Sequence, residues 1–326
     1  MSRARLANWA LSAGAVLALH VSAGCGGGSP SGPSVGSPLP QPSPTLTIAG
    51  RIVGTVTNEP IPGATLTIGG TRVTTDAGGA FTFDSTQSGA VGVSISGSGL
   101  VTRATSIGHA SVAVDVIQNK EPFDLDFFRA IARNGFEQPA ALQAIQRLTE
   151  APRIYIRTID DAGQAVDAAT LDTVESALLD VADIWSGGRF GLAGIARGTE
   201  TREGLSGWVT VRWSNPSTGN TCGSASLGTT GGALNLNYLG PCSCGGPSRI
   251  DATIARHELG HIFGYWHTGN PTDLMSGVFS TCGQRPSARE VAHAKYFYAR
   301  PVGNTDPDTD PRSTVFSQPR AIVIRD

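Results

Sequence analysis

His257-Glu258-Leu259-Gly260-His261-Ile262-Phe263-Gly264-Tyr265-Trp266-His267 reads H-E-x-x-H-x-x-G-x-x-H. On a helix, His257 and His261 are four residues apart and share a face, so both imidazoles can reach one metal ion. Glu258 stands beside them, placed to take a proton from a water at the metal. Gly264 tolerates a positive φ and lets the chain leave the helix. The turn it permits can bring His267 round as a third ligand. Three protein ligands and one solvent position make up a catalytic zinc site, so Zn²⁺ is the expected cofactor. Five fixed residues at these spacings arise by chance on the order of once in 10^5 chains of this length. Three of the six histidines in the chain fall in this stretch.

The surrounding sequence supplies an ordered set of elements. Residues 153–157 alternate and follow a proline, as a strand does. Residues 170–185 carry Leu171, Val174, Leu178, Val181 and Ile184 on one helical face. Strands are expected at 208–213, 223–227 and 234–238. The metal-binding helix is expected over 249–263, with Ser248 as N-cap and Asp251 three positions on. Beyond it come Asp273-Leu274-Met275-Ser276 and a last helix from Ser287 to about Tyr298. Its Ser-Ala-Arg-Glu start has the form of a capping box, and Pro301 stops it. His293 on that helix is read as structural, because three ligands already satisfy the site.

The 326 residues are enough for two domains, and the net charge of −2 offers no basic excess for nucleic acid. With 42 Gly and 20 Pro, many turns and short strands are expected. Arg3 and Arg5, the apolar run 9–21 and the small residues Ser22-Ala23-Gly24 before Cys25 outline an export signal over residues 1–24. The triplet before Cys25 resembles the lipobox of bacterial lipoproteins, departing from it at Ser22, where Leu is usual. That resemblance implies a lipid on Cys25; plain secretion and an uncleaved anchor are the alternatives. Residues 25–46 are Gly, Ser and Pro almost throughout, a tether with no means of forming a core. Outside the cytosol Cys222, Cys242, Cys244 and Cys282 are expected to form a disulfide framework with three pairings open, a second metal site being the alternative; Cys242 and Cys244, one residue apart, are each expected to pair with Cys222 or Cys282.

Residues 47–118 read as a small β-sandwich. β-rich segments at 48–56, 64–68, 81–83 and 91–95 alternate with Asn58, Gly63, Gly69-Gly70, Asp76 and Gly78-Gly79. Gly54, Val56, Pro60-Ile61-Pro62-Gly63-Ala64 and Leu66, then Thr74-Thr75-Asp76, Gly79 and Phe81, resemble the carboxypeptidase regulatory-like, transthyretin-like sandwich. His109 stands apart from any motif and is read as structural. In residues 119–150, Phe123, Phe127-Phe128, Ile131-Ala132, Leu142, Ile145 and Leu148 recur at helical spacing, with Pro139 dividing two helical pieces of a connector. A covering role over the cleft is open to this segment, although it offers no obvious metal ligand. In the tail, residues 302–326, the alternating Asp306, Asp308 and Asp310 are a candidate Ca²⁺ site against the commoner solvated acidic loop.

The histidine motif, with Met275 eight residues after His267, Pro271 between and Leu274 before the Met, resembles the metzincin metalloendopeptidases, and most of all the matrixin branch. The likeness spans residues 151–301. It implies a multidomain chain: an all-β sandwich, then an α+β zinc peptidase domain with a twisted, mostly parallel sheet, an active-site helix, a Met-turn and a C-terminal helix. It implies that His257, His261 and His267 bind zinc, that Glu258 is the catalytic base, and that Met275 lies as an apolar floor beneath the imidazoles. By position, 223–227 is the antiparallel edge strand that pairs with an extended substrate. The chain departs from the branch at Thr268, where Ser is usual. It lacks the branch's second zinc site, calcium loop and cysteine propeptide switch. The expected protein is a monomeric, exported zinc endopeptidase acting on protein or peptide and held at a cell surface or outer membrane through an N-terminal lipid alone. The alternatives are a surface adhesion lipoprotein with a non-catalytic zinc site and a zinc hydrolase of a non-peptide bond.

Overall fold

A computed structural model describes residues 45–108, 112–214, 221–237, 242, 250–278, 281–312 and 323–325. The expectations for the export signal, the tether, Cys25, His109, Cys244 and Ser248 fall outside these residues. The described chain is a mostly β, multi-sheet body with four helices. No helix among the described residues is long and apolar enough to cross a membrane.

The first seven strands are β1 (Leu46–Gly54), β2 (Thr65–Ile68), β3 (Thr71–Thr74), β4 (Ala80–Ser85), β5 (Val91–Ser96), β6 (Arg103–Ile107) and β7 (Val112–Val116). They form two sheets, ordered β4-β1-β7 and β3-β2-β5-β6. Alternation of buried and exposed side chains along β4 and β5 gives each sheet one apolar face. Those faces share a core that includes Ile48, Ile52, Leu66, Phe81, Phe83, Val93, Ile95 and Val116. Asp76 accepts hydrogen bonds from the backbone N–H groups of Gly78 and Ala80, so this part of the sandwich motif makes a turn.

The connector holds one helix, not two. α1 (Leu125–Arg133) starts at Asp124, whose carboxylate accepts from Asp126 and Phe127, and ends at Asn134 with φ of 57°. Past Pro139 the chain forms no second helix, and its backbone groups find partners in the tail. The Ile145 N–H donates to Asn304 and its carbonyl accepts from Gly303, at 2.9 and 2.8 Å. Tertiary pairing overrides the helical spacing of Leu142, Ile145 and Leu148; the last two still reach the core.

The remaining sheet comprises β8 (Arg153–Arg157), β9 (Gly194–Gly198), β10 (Trp208–Ser214), β11 (Gly223–Ser226), β12 (Ala233–Asn237) and β13 (Val323–Arg325) in the order β13-β11-β12-β10-β8-β9. β9, β8, β10 and β12 run parallel and β11 runs antiparallel to β12, as expected. β11 is not the edge, however. β13, from the tail, pairs antiparallel on its outer side.

α2 (Ala168–Trp185), α3 (Ala252–Phe263) and α4 (Ala288–Tyr298) complete the body. α3 begins later than expected: Asp251 is its N-cap, accepting from the Thr253 N–H. α4 has the expected capping box, with Ser287 and Glu290 bonding each other's backbone N–H. α1 shares its core with the parallel sheet: Phe127, Phe128 and Ile131 cluster with Ile154, Trp185, Leu259 and Phe297.

The tail aspartates are held by arginines, which is why they are not a calcium site. Asp306 pairs with Arg129 at 2.9 Å, Asp308 with Arg300 at 2.7 Å and Asp310 with Arg103 at 2.8 Å. These guanidinium groups already neutralise the carboxylates a cation would need. The same cluster joins the sandwich to the segment that follows α4, because Asp115 binds both Arg103 and Arg300, each at 2.5 Å. Burial would raise the Asp115 pKa, but Arg300 and Arg103 outweigh it and hold the carboxyl at about 2. Cys222 and Cys242 form a disulfide, and Cys282 is disulfide-bonded as well. Such bonds persist in oxidising surroundings, which points to an extracellular or periplasmic chain.

Candidate metal centre

The expected ligands meet. One nitrogen from each of His257, His261 and His267 lies within 4.8 Å of the others, and all three residues are buried. His257 and His261 sit one turn apart on α3. Gly264 ends that helix at φ of 110°, and its N–H caps the carbonyls of Gly260 and His261. A Cβ at Gly264 would fall 2.1 Å from the Gln146 carbonyl oxygen, so glycine is required there for space as well as for φ.

Hydrogen bonds at Nδ1 decide how the rings present themselves. His257 Nδ1 lies 2.6 Å from the Leu274 carbonyl oxygen, His261 Nδ1 2.6 Å from that of Tyr265, and His267 Nδ1 2.6 Å from Glu137 Oε1. Each partner accepts, so each Nδ1 donates and Nε2 is the nitrogen each ring can offer a metal. His257 Nε2 and His261 Nε2 are 3.0 Å apart. A cation beside two ring nitrogens this close can be coordinated by both. Three buried imidazoles whose nitrogens converge in this way fit a metal ion.

Glu258 is fully buried, and β11 runs directly against it. A Cβ built on Gly223 would lie 1.9 Å from Glu258 Oε1. Only glycine leaves room for the carboxylate at that point of the strand. β11 thus passes beside the expected proton acceptor, although β13 occupies its outer edge.

The turn that bears Met275 is held from two sides. The Thr268 N–H donates to the Met275 carbonyl at 2.7 Å. Glu290, fully buried, accepts from the N–H groups of Leu274, Met275 and Ser287 at 3.0, 2.8 and 2.6 Å. Burial pushes the Glu290 carboxyl up, and those donors pull against it. Asp273 accepts from Thr268 and Ser287 and pairs with Arg289. Met275 Sδ packs where a Gly260 Cβ would be, at 2.4 Å, which sets it against α3 between the two ligand histidines.

His293 has a different task. Its Nδ1 donates to the Arg289 carbonyl at 2.7 Å and its Nε2 accepts from the Asp124 N–H at 2.9 Å, tying α4 to the start of α1. Burial lowers its pKa and favours this neutral form.

Sequence reasoning missed Glu137, Gly223 and the second role of Glu290. Glu290 was visible as a cap, but nothing local showed that its oxygens also reach the Met275 turn. Glu137 and Gly223 carry no motif, and only the fold brings them to the histidines.

No family model matches the chain, and no curated protein does. Among solved structures, it is similar to a C-terminal interface mutant of a type II cohesin–X–dockerin complex from Acetivibrio cellulolyticus, at 29% identity over 22% of this chain and 51% of that one, with a TM-score of 0.17. The N-terminal interface mutant of the same complex gives 28% identity over the same shares and the same TM-score. The chain spans about half the length of these solved chains.

Proposed function

We propose that the chain is a zinc-dependent endopeptidase of the metzincin type, nearest the matrixins, exported and lipid-tethered through Cys25. The observation that carries this reading is the convergence of three buried imidazoles, with the buried carboxylate Glu258 beside His257 on α3. Three imidazoles suit zinc, and zinc held there would supply Lewis-acid polarisation of a carbonyl oxygen and of water.

The chain's own residues do the rest. His257, His261 and His267 are held in one tautomer by their Nδ1 partners. Glu258 accepts the proton of the attacking water and passes it to the leaving amine nitrogen. Packing of α3 against the sheet and Met275 against Gly260 keeps the ligand face rigid. A peptide lying along β11 brings its backbone beside Glu258, with main-chain hydrogen bonds for affinity. The metzincin resemblance of the motif supports peptide over other acyl substrates.

The test is Glu258→Gln in the full chain, assayed on a denatured protein with zinc quantified. Hydrolysis should fall about 10²–10⁴-fold while the zinc content stays that of the parent. Chelator-sensitive cleavage that survives the substitution would remove Glu258 from the mechanism.

A further inference from the structure

We propose that Glu137 is a positioning residue of the metal centre, orienting His267 from a segment far upstream of the histidine motif. This rests on His257, His261 and His267 forming a metal site. His257 and His261 donate to backbone carbonyls, at Leu274 and Tyr265. His267 donates from Nδ1 to a carboxylate, Glu137 Oε1 at 2.6 Å. An anionic acceptor both locks the tautomer and makes the opposite nitrogen a stronger donor to a metal.

The loop that carries Glu137 is docked around His267 on both sides. The Trp266 N–H donates to the Ile131 carbonyl at 2.8 Å, immediately before the ligand. Two residues after the ligand, the Phe136 ring covers Gly269, where a Cβ would meet it at 2.5 Å. The Asn134 cap, in the left-handed region, and the Gly135 N–H bond to Arg129 turn the chain sharply out of α1 into this position. Glu137 is 40% exposed, so its hydrogen bond with His267 adds little to folding stability, and its effect falls on the orientation of His267. The connector is thereby part of the metal centre and not a removable cover.

The experiment measures zinc affinity of the full chain by competition with a chromogenic chelator, with the visible spectrum of the Co²⁺ form as a second readout. Glu137→Ala should weaken zinc binding about 10–100-fold and shift the Co²⁺ bands, leaving the thermal midpoint of the metal-free chain unchanged. Glu137→Gln, which keeps an acceptor oxygen and loses the charge, should fall between. Glu137→Ala with the parent's affinity and spectrum overturns the proposal, as does a parent chain that takes up no zinc. Neither readout uses a substrate, so a failure of the peptidase reading would show separately, in the Glu258→Gln assay.

A different observation concerns β13. It pairs with the outer edge of β11 in the register Ser224↔Arg325, Ala225↔Ile324 and Ser226↔Val323. The residue before Ser224 is Gly223, which lies against Glu258. Ile324 is buried with Leu227 and Trp266, the latter adjacent to His267. We infer that residues 323–325 hold the strand position that a peptide substrate needs, so that this segment must leave β11 before an extended peptide can pair there. The inference rests on the peptidase reading. A chain ending at Arg312 should gain about tenfold or more in kcat/KM, since a tethered strand competes at millimolar effective concentration. A labelled peptide of residues 315–326 should bind the shortened chain, read by fluorescence anisotropy, and an Ile324→Asp peptide should not. No binding of the labelled peptide, or equal kcat/KM for the two chains, overturns the inference. If neither chain hydrolyses peptide, the peptidase reading fails while the anisotropy still reports whether the segment docks on β11.

Discussion

The sandwich and the metal centre are built on opposite plans. The sandwich core draws on β1, β2, β4, β5, β6 and β7, which follow one another closely in sequence and meet through alternating side chains. The metal centre gathers Glu137, Gly223, Glu258 and the three histidines, Leu274 and Glu290 from segments spread over nearly half of the chain. Redundant apolar contacts tolerate change gradually. A site made of single hydrogen bonds and single glycines does not.

Four substitutions test that contrast. The largest effect is expected from Glu258→Gln, described above, which should remove hydrolysis and leave both cores intact. Next comes Gly223→Ala. Its methyl group would overlap the Glu258 carboxylate, so hydrolysis should fall about 100-fold or more with zinc retained, measured as kcat/KM beside metal content. Normal activity in this variant would mean that β11 can move away at little cost. Leu66→Ala should cost the sandwich about 2–5 kcal/mol in denaturant unfolding, with zinc affinity unchanged. A loss of zinc affinity there would show that the two regions behave as one.

The smallest effect belongs to the ion cluster that joins them. The folded-state pKa of Asp115 is depressed to about 2, so its stabilisation is present above the unfolded value near 4 and is lost as the pH falls through about 2. That difference corresponds to about 2 kcal/mol. Asp115→Asn should therefore be less stable than the parent by about that amount at pH 7. The gap should close between pH 4 and pH 2 in a series of thermal midpoints, and a gap constant over that range would place the stabilisation elsewhere.

Much of this was legible from local pattern. The α3 ligand pair and the Gly264 turn follow from helical geometry and from glycine's access to positive φ. The α4 capping box follows from Ser287 and Glu290 three residues apart. Where local pattern misled, a distant partner had intervened. Leu142, Ile145 and Leu148 have helical spacing, yet Ile145 pairs with the tail backbone. Asp306, Asp308 and Asp310 look like oxygen ligands, yet Arg129, Arg300 and Arg103 reach them first.

By itself, the amino-acid sequence determined the donor set: which residues can ligate, which can accept a proton, and that His257 and His261 share a helix face. Those are consequences of side-chain chemistry and of a 3.6-residue period, and both are local. The tertiary structure alone decided that Glu137 holds His267, that Glu290 pins the Met275 turn, that Gly223 makes room for Glu258, and that β13 covers the edge of β11. Such contacts join residues far apart in the chain, and no local spacing encodes them. They arise when burying the shared core brings those segments together and their polar groups must find partners there.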